Sequence, residues 1–184
     1  GVDLLLPSIE PLVRMGCRIL VIGSGHAVYE DALRKAGELF PGRFWSYIGY
    51  SEEAAHLAYA GSDILLMPSL FEPCGLSQLI ALRYGTVPVA RAVGGLADTI
   101  VDADGSDRGY GFLFSEFRPE ELVHAVGRAL GAFSDEARWR EILLLGMSAD
   151  FSWKTSASAY ANLYLELLGV EASDLKEPKR GEAS

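Results

Sequence analysis

Short apolar runs rich in β-branched residues alternate with longer amphipathic stretches over most of this chain. Cys17-Arg18-Ile19-Leu20-Val21-Ile22 predicts a strand that ends at Gly23-Ser24-Gly25. Helical spacing follows from about Val28 to Phe40, and Pro41-Gly42 stops it. Phe44 to Ile48 predicts a second strand closed by Gly49-Tyr50, and Glu52 to Ala60 a short helix with Ser51 as N-cap. Asp63 to Met67 is a third strand, Gly75 to Tyr84 a helix, Thr86 to Ala90 a fourth strand, and Gly111 to Phe114 a last one. Before them, Gly1 to Leu6 reads as a helix start.

Three helices close the pattern. Pro119 opens the first, with Leu122, Val126, Ala129, Leu130 and Phe133 as one apolar stripe. Ser134 is expected to cap the second, with Trp139, Ile142, Leu143 and Met147 inward. Ser152 opens the third, where Tyr160, Leu163, Tyr164, Leu167 and Leu168 recur at helical spacing.

Near-continuous apolar strands separated by helices predict an α/β fold: a Rossmann-like parallel sheet with helices on both faces. Ligands of such sheets bind beyond the carboxyl ends of the strands. Those ends are Gly23 to Gly25, Gly49-Tyr50, Pro68 to Gly75 and Arg91 to Gly95, and they hold most of the unusual residues.

Composition narrows the partners. With 49% hydrophobic and 22% charged residues, 184 residues suffice for one packed domain. A net charge of −9 disfavours nucleic acid and anionic membranes, although a phosphate held in a local pocket of N–H groups is compatible with it. The two cysteines, Cys17 and Cys74, suggest neither a disulfide framework nor a zinc site. No apolar run reaches membrane-spanning length. Residues 1–169 are expected to be the ordered domain and 170–184 a polar, disordered tail.

Gly23-Ser24-Gly25 after a strand suggests a phosphate-binding turn, but the third glycine of the dinucleotide pattern is replaced by Val28; a tight turn without ligand explains it equally well. Phe71-Glu72-Pro73-Cys74-Gly75-Leu76 is more informative. It sets a carboxylate in a strand-end loop, fixes the turn with proline, and opens a helix whose free N–H groups would face the mouth. Glu72 could instead be a solvated acid that favours the helix start. Cys74 lacks a neighbouring histidine, so a structural role outweighs that of nucleophile. His26, His56 and His124 have no ligand spacing, and Trp45, Trp139 and Trp153 read as packing residues. Asp102-Ala103-Asp104-Gly105 lacks the later ligands of a calcium loop and reads as a turn.

Taken with Gln78, Arg83-Tyr84-Gly85-Thr86, Pro88, Gly94-Gly95-Leu96-Ala97-Asp98-Thr99, Ile48-Gly49-Tyr50 and Asp150-Phe151-Ser152-Trp153, that segment resembles the bacterial glycogen synthases and plant starch synthases, with matching motifs from Gly1 to about Leu168. The resemblance implies the C-terminal, nucleotide-sugar-binding half of a GT-B enzyme. The full-length parent would transfer glucose from ADP-glucose, or UDP-glucose, to the non-reducing end of an α-1,4-glucan, with retention and without cofactor or metal. It implies Glu72 against the donor glucose. Backbone N–H groups of Cys74 and Gly75 would take sugar hydroxyls, and those of Leu76 and Ser77 the distal phosphate. Tyr50, following Gly49, would lie on the base. The family carries a basic segment ending in lysine just before the position of Gly1, so this chain is expected to be a fragment with half its positive clamp and no activity alone. Where retaining GT-B enzymes more broadly carry a second glutamate, Ile80 stands here, a change the synthases share. The resemblance also implies a cytoplasmic protein, or a plastid one in a plant. The alternatives are another retaining GT-B glycosyltransferase domain and a noncatalytic nucleotide- or glucan-binding module.

Overall fold

A computed structural model describes residues 1–170; the expected tail at 170–184 lies almost wholly outside the described residues. The order is α1 (Val2–Arg14), β1 (Ile19–Gly23), α2 (Ala27–Leu39), β2 (Phe44–Ile48), α3 (Glu52–Gly61), β3 (Ile64–Met67), α4 (Ser77–Tyr84), β4 (Val87–Arg91), α5 (Gly95–Thr99), β5 (Phe112–Phe114), α6 (Pro119–Phe133), α7 (Glu136–Ser148) and α8 (Trp153–Leu168). Contacts divide this into a unit of Gly1–Ala149 and a second that begins at Asp150.

Every strand pairing in the first unit is parallel, as the β–α alternation requires. The ladder is not continuous, however. β1 pairs with β2, and β3, β4 and β5 form a separate sheet in that order. Among the described residues no strand joins β1 to β3. Helices cover both sheets: α2 lies on β2, α6 on β4 and β5, and α1 packs against α2 and α6. Elsewhere α3 packs on β1 and on α4, and α4 packs on β3 and β4.

Strand period places the core. In β4, Val87 and Val89 join Phe112, Phe114, Leu122 and Val126 in the main cluster, while Ala90 joins Leu96 and Ile100 in a smaller one. Leu4, Leu5, Ile9 and Leu12 form the buried stripe of α1 at helical spacing, and Pro7 and Pro11 are accommodated within that helix.

Several expectations need correction. The helix after the Glu72 segment begins at Ser77, not Gly75, because Gly75 has φ +74° and leaves the right-handed region. Asp135, not Ser134, caps α7: its carboxylate accepts from the N–H groups of Ala137 and Arg138. Ser134 instead ends α6. Met147 is exposed rather than inward. Trp45 is half-exposed, whereas Trp139 packs edge-on against Phe133 at 5.1 Å. The second unit holds α8, none of whose residues is buried, so its apolar stripe forms no core of its own.

Candidate functional site

β3 delivers the chain to Pro68, and the next eight residues cross the carboxyl end of the second sheet before α4 begins. Arg91, at the end of β4, fixes the start of this loop. Its Nη1 donates to the carbonyl of Leu70 at 2.9 Å, its Nε donates to that of Ser115 at 3.1 Å, and its guanidinium lies 5.5 Å from the Phe117 ring centre. The loop is thus tied to the segment that follows β5.

Gly94 and Gly95 fix its middle. The Gly95 N–H donates to the carbonyl of Glu72 at 3.0 Å. A Cβ on Gly94 would lie 2.0 Å from the Glu72 oxygen, and one on Gly95 only 1.9 Å from the Cys74 oxygen. Only glycine permits this approach of two backbones, and Gly94 additionally has φ +46°. The pair is therefore the seat of the Glu72 loop.

Gln78 fixes its end. This amide is fully buried, and its Nε2 reaches the carbonyls of Cys74 (3.2 Å) and Gly75 (2.9 Å) and the hydroxyl of Thr99 (3.1 Å). Thr99 in turn donates to Gly95. The loop, α4 and α5 are thereby joined in one polar cluster.

The result is a half-buried Glu72 beside a row of free donors. Among the described residues, no protein group accepts from the N–H groups of Cys74, Gly75, Leu76 or Ser77. Such groups at a helix start carry a partial positive charge and suit phosphate or hydroxyl oxygens. Cys74 is exposed, and among the described residues its thiol makes one hydrogen bond, to the carbonyl of Gly75.

Tyr50 and Gly49 follow β2 at the carboxyl end of the other sheet. Tyr50 is 88% exposed and takes no part in the core. Tyr50 and the Glu72–Ser77 segment thus follow strands of different sheets, and no hydrogen bond joins them among the described residues.

The other candidates take structural places. At Gly23-Ser24-Gly25 the Gly25 N–H donates to the Glu30 carboxylate at 2.9 Å. An acid of α2 thus takes one donor of this turn. Asp102 closes its own turn by accepting from Asp104 N–H at 2.9 Å and also accepts from Leu113 N–H at 2.7 Å. Arg128 then pairs with both Asp102 and Asp104. Desolvation pulls this guanidinium down, but hydrogen bonding and charge from the two aspartates outweigh it and leave its pKa raised. The turn is braced by these bonds. Among the described residues no group of three His, Cys, Asp or Glu side chains could hold a metal. His56 bonds Tyr84 at 2.9 Å, while His26 and His124 lie at the surface.

Sequence reasoning missed Arg91 as a loop tie and Gln78 as a clasp. A lone amide among Leu76, Leu79, Ile80, Ala81 and Leu82 was the available signal for Gln78.

Comparison with known proteins bears on this geometry. Residues 1–132 match the family model described as "Glycosyl transferases group 1". The chain is 48% identical over 167 residues to a glycogen synthase of Anaeromyxobacter dehalogenans, covering 91% of this chain and 35% of that protein. It is 49% identical over 173 residues to one of Thioalkalivibrio sulfidiphilus, covering 91% and 36%. Its structure is similar to the catalytic domain of starch synthase IV from Arabidopsis thaliana bound to ADP and acarbose, with TM-score 0.82, 32% identity, and coverage of 92% of this chain and 36% of that one. The chain therefore spans about a third of the length of these relatives.

Proposed function

The chain belongs to the group 1 glycosyl transferases, and from that footing we propose that it is the donor-binding part of a glycogen (starch) synthase. The observation that carries this reading is the row of free N–H groups at Cys74, Gly75, Leu76 and Ser77 beside Glu72, seated on Gly94-Gly95. The sugar of a nucleotide sugar lies against Glu72, with hydroxyls on the N–H groups of Cys74 and Gly75. The distal phosphate takes those of Leu76 and Ser77 at the start of α4. The base lies on Tyr50, whose exposed ring is available for stacking. ADP-glucose is the preferred donor, a choice supported by the ADP found on the starch synthase IV relative.

In transfer, the bond from the anomeric carbon to the diphosphate oxygen breaks, and its electron pair leaves with ADP. The terminal hydroxyl of an α-1,4-glucan forms the new bond and gives its proton to the departing diphosphate, with retention at the anomeric carbon. Charge develops on the departing diphosphate, where the α4 N–H groups stabilise it, and on the sugar, where the Glu72 carboxylate does. The acceptor is held by parts of the parent outside this chain. The parent acts in the cytoplasm, or in a plastid if the source is a plant. No helix among the described residues is long and apolar enough to cross a membrane.

Transfer of labelled glucose from ADP-glucose to glycogen by the full-length parent tests the reading, with UDP-glucose as the competing donor. Glu72→Gln is expected to lower kcat by about 100-fold or more with little change in donor KM, since the carboxylate acts on developing charge. A near-normal kcat would return Glu72 to the role of a helix-start acid. The 184-residue chain alone is expected to bind ADP weakly and to give no elongation above a blank.

A further inference from the structure

The Glu72 loop does not become helix as early as it could. An α4 that started one turn sooner would bond the N–H of Gln78 to Cys74 and that of Leu79 to Gly75. Neither bond is present, and no backbone N–H donates to either carbonyl among the described residues. The side chain of Gln78 takes both carbonyls instead.

The direction of this amide follows from its partners. The Cys74 and Gly75 carbonyls can only accept. The hydroxyl of Thr99 donates its proton to Gly95, so toward Gln78 it too accepts. Three acceptors therefore face the NH2 group, and Oε1 is left buried without a partner. A buried unpaired oxygen is unfavourable, and a residue serving only to fill space would be apolar.

In a trans peptide the C=O and the following N–H point in opposite directions. Drawing the Cys74 oxygen inward turns the Gly75 N–H outward, and drawing the Gly75 oxygen inward turns the Leu76 N–H outward. These are two of the four free donors of the site. We propose that Gln78 is the positioning residue of the donor site: by clasping the carbonyls of Cys74 and Gly75 it aims the N–H groups of Gly75 and Leu76 at the oxygens of the sugar nucleotide. The left-handed φ of Gly75 belongs to the same arrangement, because a Cβ there would lie 2.5 Å from the Gln78 Oε1. The inference rests on the donor-site reading above.

The test uses the full-length parent with two variants of matched size. Gln78→Met keeps the length and removes both donors. It is expected to lower kcat/KM for ADP-glucose by about 100-fold, as a misplaced donor pair should, with ADP affinity falling in step. KM for glycogen is expected to move by less than about twofold. Gln78→Glu supplies a signature that a filler role would not: an ionised carboxylate cannot donate to a carbonyl, whereas a protonated one donates a single bond. Its activity relative to wild type should therefore rise as pH falls through the pKa of the introduced carboxyl, which burial raises. Wild-type donor kinetics in Gln78→Met would overturn the proposal. Should that variant not fold, a Gln78→Glu activity ratio that stays flat with pH would overturn it. A wild-type parent that transfers no glucose from ADP-glucose would instead sink the donor-site reading itself.

Discussion

Strands β2 and β4 are each five residues long, yet β4 buries four of its residues and β2 only one. β4 lies between β3 and β5, with α6 and α4 packed on it. β2 pairs on one side only and carries α2, leaving Trp45 and Tyr47 about half exposed. Burial thus follows a strand's neighbours, not its own apolarity. The two halves of the candidate site inherit the difference. Glu72 and its clasp stand on the well-packed sheet, whereas Tyr50 stands on the loosely covered one.

The most severe way to break this contrast is through one large side chain on each sheet. Phe112 is fully buried on β5, and Phe112→Ala is expected to lose about 3–5 kcal/mol in urea unfolding. Trp45→Ala should lose only about 1.5–2.5 kcal/mol, near half the value for a fully buried large side chain. Equal losses would show the two sheets to be equally packed. A second comparison uses glycines. Gly95→Ala drives a methyl group into the Cys74 carbonyl and should cost about 1–3 kcal/mol. Gly25→Ala meets nothing within 4 Å, and its melting midpoint should not fall.

The third comparison separates ligand from core. In the full-length parent, Tyr50→Ala should weaken ADP binding by about 1–3 kcal/mol, and Tyr50→Phe hardly at all, by calorimetric titration. Because the ring is 88% exposed, neither should lower the melting temperature. Loss of folding in Tyr50→Ala would assign the ring to packing. The smallest effect sits at helix starts. The Ser51 hydroxyl accepts from Ala54 N–H, so Ser51→Ala should cost about 1 kcal/mol. Ser152 makes no such side-chain bond, and Ser152→Ala should leave the melting curve unchanged.

Much of this architecture is legible locally. Runs such as Ile19 to Ile22 and Ile64 to Met67 announce strands, and Gly and Pro announce their ends. The segment from Phe71 to Leu76 is legible because its residue types do unusual work together. The break between β1 and β3 is not legible, because strand pairing is a long-range property that no window of sequence contains. The seat at Gly94-Gly95 is hidden for the same reason: the sequence shows a glycine pair, and only the fold shows the carbonyls of Glu72 and Cys74 pressed against it. Gln78 escapes because helical periodicity says which face a residue occupies, not which carbonyls its amide reaches. Ser134 and Asp135 are adjacent good caps, and only the observed bonds choose between them.

The interrupted ladder has a consequence for behaviour in solution. A single five-stranded sheet has two outer edges, whereas sheets of two and three strands have four. Each edge carries N–H and C=O groups without a ladder partner, and wherever solvent reaches such an edge a strand of another molecule can form on it. The net charge of −9 keeps such molecules apart. Salt shortens the reach of that repulsion to roughly 8 Å at physiological ionic strength and about 3 Å at 1 M. Self-association of the chain should therefore rise with ionic strength, and light scattering across a salt series would follow it.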